Sequence, residues 1–283
     1  MEKKSLSKDT YDFDQLKKYA KDIAVVYKSE KQKKEALEAG NQQIVKYAID
    51  LNKAVSELKA VNQELQEAYI DTIHRLVLVA EYKDEDTGNH IKRISLYSAL
   101  IAEKIGLPAD GVQDILYASP MHDVGKVGVP DNMLLKPGRL TEQEFECIKA
   151  HTLIGADILA NSRGKILRIA EQIAISHHEK WNGKGYPYGL YKKKIPIVGR
   201  IVGLVDVFDA LTSKRPYKDP YPVDVACDMI KKERGQHFDP DLVDVFMKNI
   251  DEILSIKAEV DLKEGISTDD FTWSERDLVL NIS

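Results

Sequence analysis

Apolar residues between positions 37 and 69 follow a seven-residue repeat, not the looser spacing of a helix inside a globular domain. Leu37, Ile44, Leu51, Leu58 and Leu65 occupy one heptad position, taken as d, and Asn41, Ala48, Val55, Asn62 and Tyr69 then fall at a. Alternating steps of four and three keep such a seam on one face of a supercoiled helix. From Leu37 to Leu65 that helix would extend about 42 Å at 1.5 Å per residue. Residues 13–70 contain no proline and one glycine, Gly40, and are dense in Lys, Glu and Gln. The segment is too polar to form a core alone, so the seam predicts a partner. Asparagine at two a positions favours a register-specific homodimer; packing within one subunit is the alternative. An earlier set, Phe13, Leu16, Ala20, Ile23, Ala24 and Tyr27, also has helical spacing. It reads either as a separate helix or as the start of the same one. Gly40 is the weak point between them, at about 1 kcal/mol relative to Ala.

From residue 70 to about 255 the pattern becomes that of a globular helical domain. Ile73, Leu76, Val77 and Ala80 recur at helix period, as do Ile91, Ile94, Leu100 and Ile101, then Val112, Ile115 and Leu116. Thr141 followed by Glu144 predicts a capping box opening a helix through Phe145 and Ile148. Asp239 before Pro240 predicts an N-cap with proline at the first helical position. There is no alternating series of the kind a strand produces. The expected fold is all-α: a helical bundle preceded by a long coiled-coil helix. The expected organisation is a coiled-coil dimerisation and signalling segment over 1–70, a catalytic helical domain over 71–257, and a tail over 258–283 without assigned structure.

Composition narrows the function classes. The 283 residues carry a formal charge of −5, which argues against a nucleic-acid polymer as partner, since phosphate contacts need clustered Lys and Arg. Cys147 and Cys227 are the only cysteines and provide neither a disulfide framework nor a thiolate metal site. The charged N-terminus lacks the apolar core of a signal peptide. No stretch approaches the roughly 20 apolar residues of a membrane span, so a cytoplasmic protein is expected.

The histidines carry the chemistry. Five of the seven sit in compact polar contexts: His90, His122, His151, His177 and His178. Carboxylates accompany two of them, in Asp86-Thr87-Gly88-Asn89-His90 and His122-Asp123, and Asp206 is a further candidate. Imidazole with carboxylate is the donor set of hydrolytic sites for Fe, Mn or Zn. Asp86 and His90, four apart, would share a helix face. His122 and Asp123, being adjacent, would not; both reach one metal from a helix end, or the aspartate bridges two ions. His237, in Gly235-Gln236-His237-Phe238, reads as helix-entry structure, and His74 as a surface residue.

His122-Asp123-Val124-Gly125-Lys126 resembles the HD motif of metal-dependent phosphohydrolases, and His177-His178-Glu179-Lys180-Trp181-Asn182-Gly183-Lys184-Gly185-Tyr186-Pro187 resembles the signature of their HD-GYP subfamily. The segments around Asp86 and His90, around His151, around Asp206-Val207-Phe208-Asp209 and around Arg215-Pro216-Tyr217-Lys218 resemble its other blocks in order. The likeness covers about residues 70–255 and leaves out the heptads.

This resemblance implies an all-α bundle whose helices hold a metal cluster, and hydrolysis of cyclic di-GMP to pGpG or GMP by a metal-bridging hydroxide. His122, Asp123 and Asp206 would hold one divalent metal, with Asp123 bridging to a second held by His151, His177 and His178. Iron or manganese is expected. Some members bind a third metal through the positions of Asp86 and His90, but carry Glu where this chain has the shorter Asp86. Two metals are therefore expected before three. Lys126 would contact phosphate or the leaving group, Arg215 and Lys218 the second phosphate, and Gly185 and Tyr186 the substrate side of the site. Asp209 would orient a ligand from behind. The alternatives are a hydrolase of another cyclic dinucleotide, such as cyclic GMP-AMP, and a non-catalytic sensor or scaffold. A sensory or GGDEF-type protein is the expected signalling partner.

Overall fold

The computed structural model describes residues 6–81, 83, 88–136, 138–214 and 219–262. The chain divides into two compact units, Met1–Ala68 and Tyr69–Ser283. Helix α1 (Leu6–Glu81) runs without a break through the early apolar set, Gly40 and the heptads, which thus belong to one helix and not two. Within the first unit the five d-position residues Leu37, Ile44, Leu51, Leu58 and Leu65 are each between 62% and 67% exposed. The seam is uncovered in the single chain.

The second unit is helical, with no strand among its described residues. On the last turns of α1, Ile70, Ile73, Val77 and Ala80 are buried, the i, i+3, i+7 spacing that turns one face to a core. His74 lies on that face and is buried as well, so it is not a surface residue. Next come α2 (Gly88–Lys104), α3 (Ala109–Ala118), a 3₁₀ segment (Ser119–Gly128), α4 (Asp131–Leu134), α5 (Glu142–Lys149), α6 (His151–Leu159), α7 (Lys165–Ser176), α8 (Ile197–Thr212), α9 (Val223–Lys232), α10 (Pro240–Lys248) and α11 (Ile250–Leu262). Helix α2 is buried from His90 to Ala102 except Lys92, and packs against α3, α8 and α11. Tyr97 of α2 meets Phe208 of α8 edge-on at 6.1 Å, and Phe208 meets Phe246 of α10 at 5.0 Å. Burying side chains of this size stabilises by roughly 1.5–3 kcal/mol each. This aromatic stack fixes the register of α2 against α8, the two helices that bring His90 and Asp206 together.

Local signals form as their chemistry dictates. Thr141 accepts from the Glu144 backbone while Glu144 accepts from the Thr141 backbone, closing the capping box that starts α5. Asp239 caps α10, with Pro240 at its first position. Helix α11 continues past the expected domain end at 257 to Leu262, because Val260 is buried with Ile253 and Ile256.

One close approach shapes the centre. A Cβ on Gly125 would lie 1.9 Å from the His151 carbonyl oxygen and 2.4 Å from the Gly155 amide nitrogen. Only glycine lets the 3₁₀ segment lie this near the start of α6. That contact sets Asp123 beside His151.

Candidate metal centre

His122 and Asp123 lie on the 3₁₀ segment, whose tighter winding aims neighbouring side chains differently from an α-helix. Asp123 Oδ1 is 3.2 Å from His151 Nε2 and 3.5 Å from His177 Nε2, and Oδ2 is 3.3 Å from His122 Nε2. His177 caps the end of α7 and His178 follows it, their rings 4.0 Å apart. Asp123, His151, His177 and His178 each offer a donor atom within 4.8 Å of the others.

The backbone decides which nitrogen each imidazole presents. Nδ1 of His122 lies 3.0 Å from the Ser119 carbonyl oxygen, Nδ1 of His151 2.7 Å from that of Ile148, and Nδ1 of His177 3.1 Å from those of Ile173 and Ala174. A carbonyl only accepts, so each Nδ1 carries the proton and each Nε2 presents its lone pair. This is the arrangement that prepares a histidine for a metal.

A second donor group adjoins the first. His90, His122 and Asp206 also have donor atoms within 4.8 Å of one another. Asp206 Oδ1 is 3.8 Å from His90 Nε2 and 4.0 Å from His122 Nε2. His90 Nδ1 donates to Asp209 Oδ2 at 2.8 Å, so a carboxylate here does what the carbonyls do for the other rings. Asp209 is itself gripped by Arg93, Nε to Oδ1 at 2.5 Å and Nη2 to Oδ2 at 3.0 Å.

Charge follows the geometry. Burial pushes the Asp123 carboxyl up, but the Lys126 ammonium beside it outweighs this and holds it well below the usual carboxylate range. Burial pushes His177 below the ordinary imidazole value and, with His177 adjacent, pushes His178 further down, so both stay neutral. Burial opposes the Asp209 charge, yet His90 and Arg93 keep it ionised. The ionised Asp123 carboxylate with the neutral imidazoles of His177 and His178 is a nitrogen–oxygen donor set. The residues present therefore fit divalent metal ions.

The loop after His178 borders this centre. The Glu179 carboxylate is buried and accepts from the Tyr188 amide at 2.8 Å and the Leu190 amide at 2.9 Å, curling the loop back on itself. A Cβ on Gly185 would lie 2.2 Å from the Lys180 nitrogen, so the loop closes there only as glycine. Tyr186 then lies against His178, ring centroids 4.8 Å apart at 30°. Lys126 Nζ is 2.7 Å from Asp123 Oδ2.

Of the residues expected from sequence, the fold brings together His90, His122, Asp123, Lys126, His151, His177, His178, Tyr186 and Asp206. Gly185 shapes the loop that carries Tyr186. Asp86, Arg215 and Lys218 lie outside the described residues. Arg93 and the structural role of Glu179 escape the sequence reading. Arg93 follows His90 by three residues just as Asp209 follows Asp206 by three, and this doubled spacing is the signal that could have paired them. His237 stays outside both donor groups, its ring stacked on Phe238 at 4.2 Å.

Two adjoining carboxylate–imidazole clusters in an all-helical domain form a donor set suited to divalent metal ions. The chain belongs to the HD domain family, which it matches over residues 76–242. It is 42% identical over 193 residues to a cyclic di-GMP phosphodiesterase of Thermotoga maritima, covering 68% of this chain and 52% of that one. It is 40% identical over 197 residues to the 3'3'-cGAMP-specific phosphodiesterase 2 of Vibrio cholerae, covering 70% of this chain and 38% of the relative. It is 41% identical over 191 residues to the cyclic di-GMP phosphodiesterase response regulator RpfG of Xanthomonas campestris, covering 68% and 50%. The chain thus spans about half or less of the length of these relatives. Among its described residues no helix is long and apolar enough to cross a membrane.

Proposed function

We propose that the chain is a metal-dependent phosphodiesterase that hydrolyses cyclic di-GMP to pGpG or GMP. The observation that carries this reading is the junction of the two donor groups at the adjacent pair His122 and Asp123. His122, Asp123 and Asp206 would hold one divalent ion, and Asp123 with His151, His177 and His178 a second; iron or manganese suits this nitrogen–oxygen set. His90, grouped with His122 and Asp206, would join the first site or, with Asp86, serve a third. When bound, such a pair supplies Lewis acidity toward phosphate oxygens and makes water acidic enough to react near neutral pH.

The chain's own groups do the rest. Asp123 is kept ionised by Lys126, whose ammonium also offers a positive contact for a phosphate or a departing ribose oxygen. Tyr186, braced on His178, offers a flat face to a nucleobase. Arg215 and Lys218 would bind the second phosphate, with Arg215 suited to a bidentate contact. The names of the relatives from Thermotoga and Xanthomonas support the substrate.

The test is purified protein loaded with Mn²⁺ or Fe²⁺ and given cyclic di-GMP, with products separated by chromatography. Formation of pGpG or GMP is expected; no product at full loading with either metal would overturn the proposal. The Vibrio relative specific for 3'3'-cGAMP favours one second reading, a preference for that dinucleotide. Comparing rates on both substrates decides between them.

The bare apolar seam of the first unit supports a homodimer formed through α1. A sensory or GGDEF-type protein acting on that coiled coil would supply the signal.

A further inference from the structure

Helix α11 lies beyond the end of the family match at residue 242, yet it reaches toward the metal centre through one side chain. Arg93 is buried at 4% exposure, and its guanidinium spans two carboxylates. Nε and Nη2 grip both oxygens of Asp209, while Nη1 donates to Asp261 Oδ1 of α11 at 2.9 Å. Asp261 is held in turn by Lys257, Nζ to Oδ2 at 2.8 Å. Asp209 holds the His90 Nδ1–H, and His90 Nε2 faces Asp206.

A planar guanidinium with three of its N–H groups committed cannot rotate. It fixes the plane of Asp209, which fixes the tautomer and tilt of His90. Remove Asp261 and one end of the strut is free. We propose that Asp261 and Arg93 are positioning residues that tune the metal held by His90, His122 and Asp206, so that α11 belongs to the scaffold of that site. This rests on the reading of the two donor groups as metal sites.

The test uses the full chain, stripped with chelator and titrated with Co²⁺, following ions bound per chain and the visible cobalt spectrum. Asp261 is 39% exposed at its side chain, so Asp261→Ala leaves the core packed; equal melting of the metal-free proteins checks this. Groups that hydrogen-bond a metal's ligands typically change metal affinity by roughly 10–100-fold. In Asp261→Ala one ion is expected to bind about 10–100-fold more weakly with an altered spectrum, while the ion at His151, His177 and His178 binds as before. Arg93→Lys, which loses the planar bridge, is expected to give the same change. Wild-type stoichiometry, affinity and spectrum in Asp261→Ala would overturn this inference alone. Absence of any cobalt binding by the wild type would overturn it together with the metal reading.

Discussion

His151 and His177 face each other Nε2 to Nε2 at 3.5 Å, with both Nδ1 protons given to backbone carbonyls. Two lone pairs at that distance repel unless a positive centre lies between or beside them. Asp123 Oδ1, within 3.5 Å of both, adds a third electron-rich atom. Three donor atoms thus converge on one point, where a cation would hold them together.

Removing the shared carboxylate tests that convergence. Asp123→Asn is expected to lower metal content by at least one ion per chain and the phosphodiesterase rate by roughly 10²–10³-fold. Helical content should stay unchanged. Emission spectroscopy for metal and circular dichroism for fold are the measurements; full metal content in the variant would defeat the assignment.

Gly125→Ala acts through packing. The added Cβ meets backbone atoms of His151 and Gly155, which cannot rotate away as a side chain would. A loss of about 1–3 kcal/mol in urea unfolding is expected, with weaker metal binding as His151 moves from Asp123. Unchanged unfolding would mean the 3₁₀ segment does not lie as close to α6 as described.

Acid should loosen the metal-free protein through His74. Burial lowers its pKa to about 4 from an ordinary 6.5, outweighing the opposite pull of Asp71. The unfolded chain takes up this proton near pH 6.5 and the folded chain only near pH 4, so the contribution is whole above pH 6.5 and is lost as pH falls toward 4. Over that window it amounts to about 3 kcal/mol. Urea midpoints at pH 7.5 and 4.5 are expected to differ less in His74→Gln than in wild type. Identical pH dependence would show that His74 is not buried neutral.

Charges in the seam should separate subunits. Leu51→Lys with Leu58→Lys puts ammonium groups where two helices would meet. Light scattering is expected to show a dimer for wild type and a monomer for the double variant, with the melting of the second unit preserved. A wild-type monomer at micromolar concentration would remove the coiled-coil proposal.

Legibility from sequence tracked the range of each interaction. The heptads, the Thr141 capping box and the Asp239 cap depend on residues a few positions apart, so their patterns are visible in one dimension. The place of His74 was also within reach, because Ile70, Ile73 and Val77 define the face that holds it. Without the family likeness, nothing local tells His90 that Asp206 will stand beside it, since α2 and α8 are distant in sequence and meet only in the folded domain. The doubled three-residue spacing hints at the Arg93 grip on Asp209, but its second hold on Asp261 is hidden for the same reason, as it brings in a third helix. Periodicity is weak after Lys257, so the sequence does not show that α11 runs on to Leu262 with Val260 buried.

The donor atoms come from five stretches between positions 90 and 206, none of which can gather the others alone. Bound ions would therefore act as staples across loops whose closure costs chain entropy. At free metal a hundredfold above its dissociation constant, one such staple adds about 2.7 kcal/mol. Metal supply would thus govern the polypeptide's lifetime against proteases as well as its turnover, and a starved chain would be cleared before it could compete for substrate.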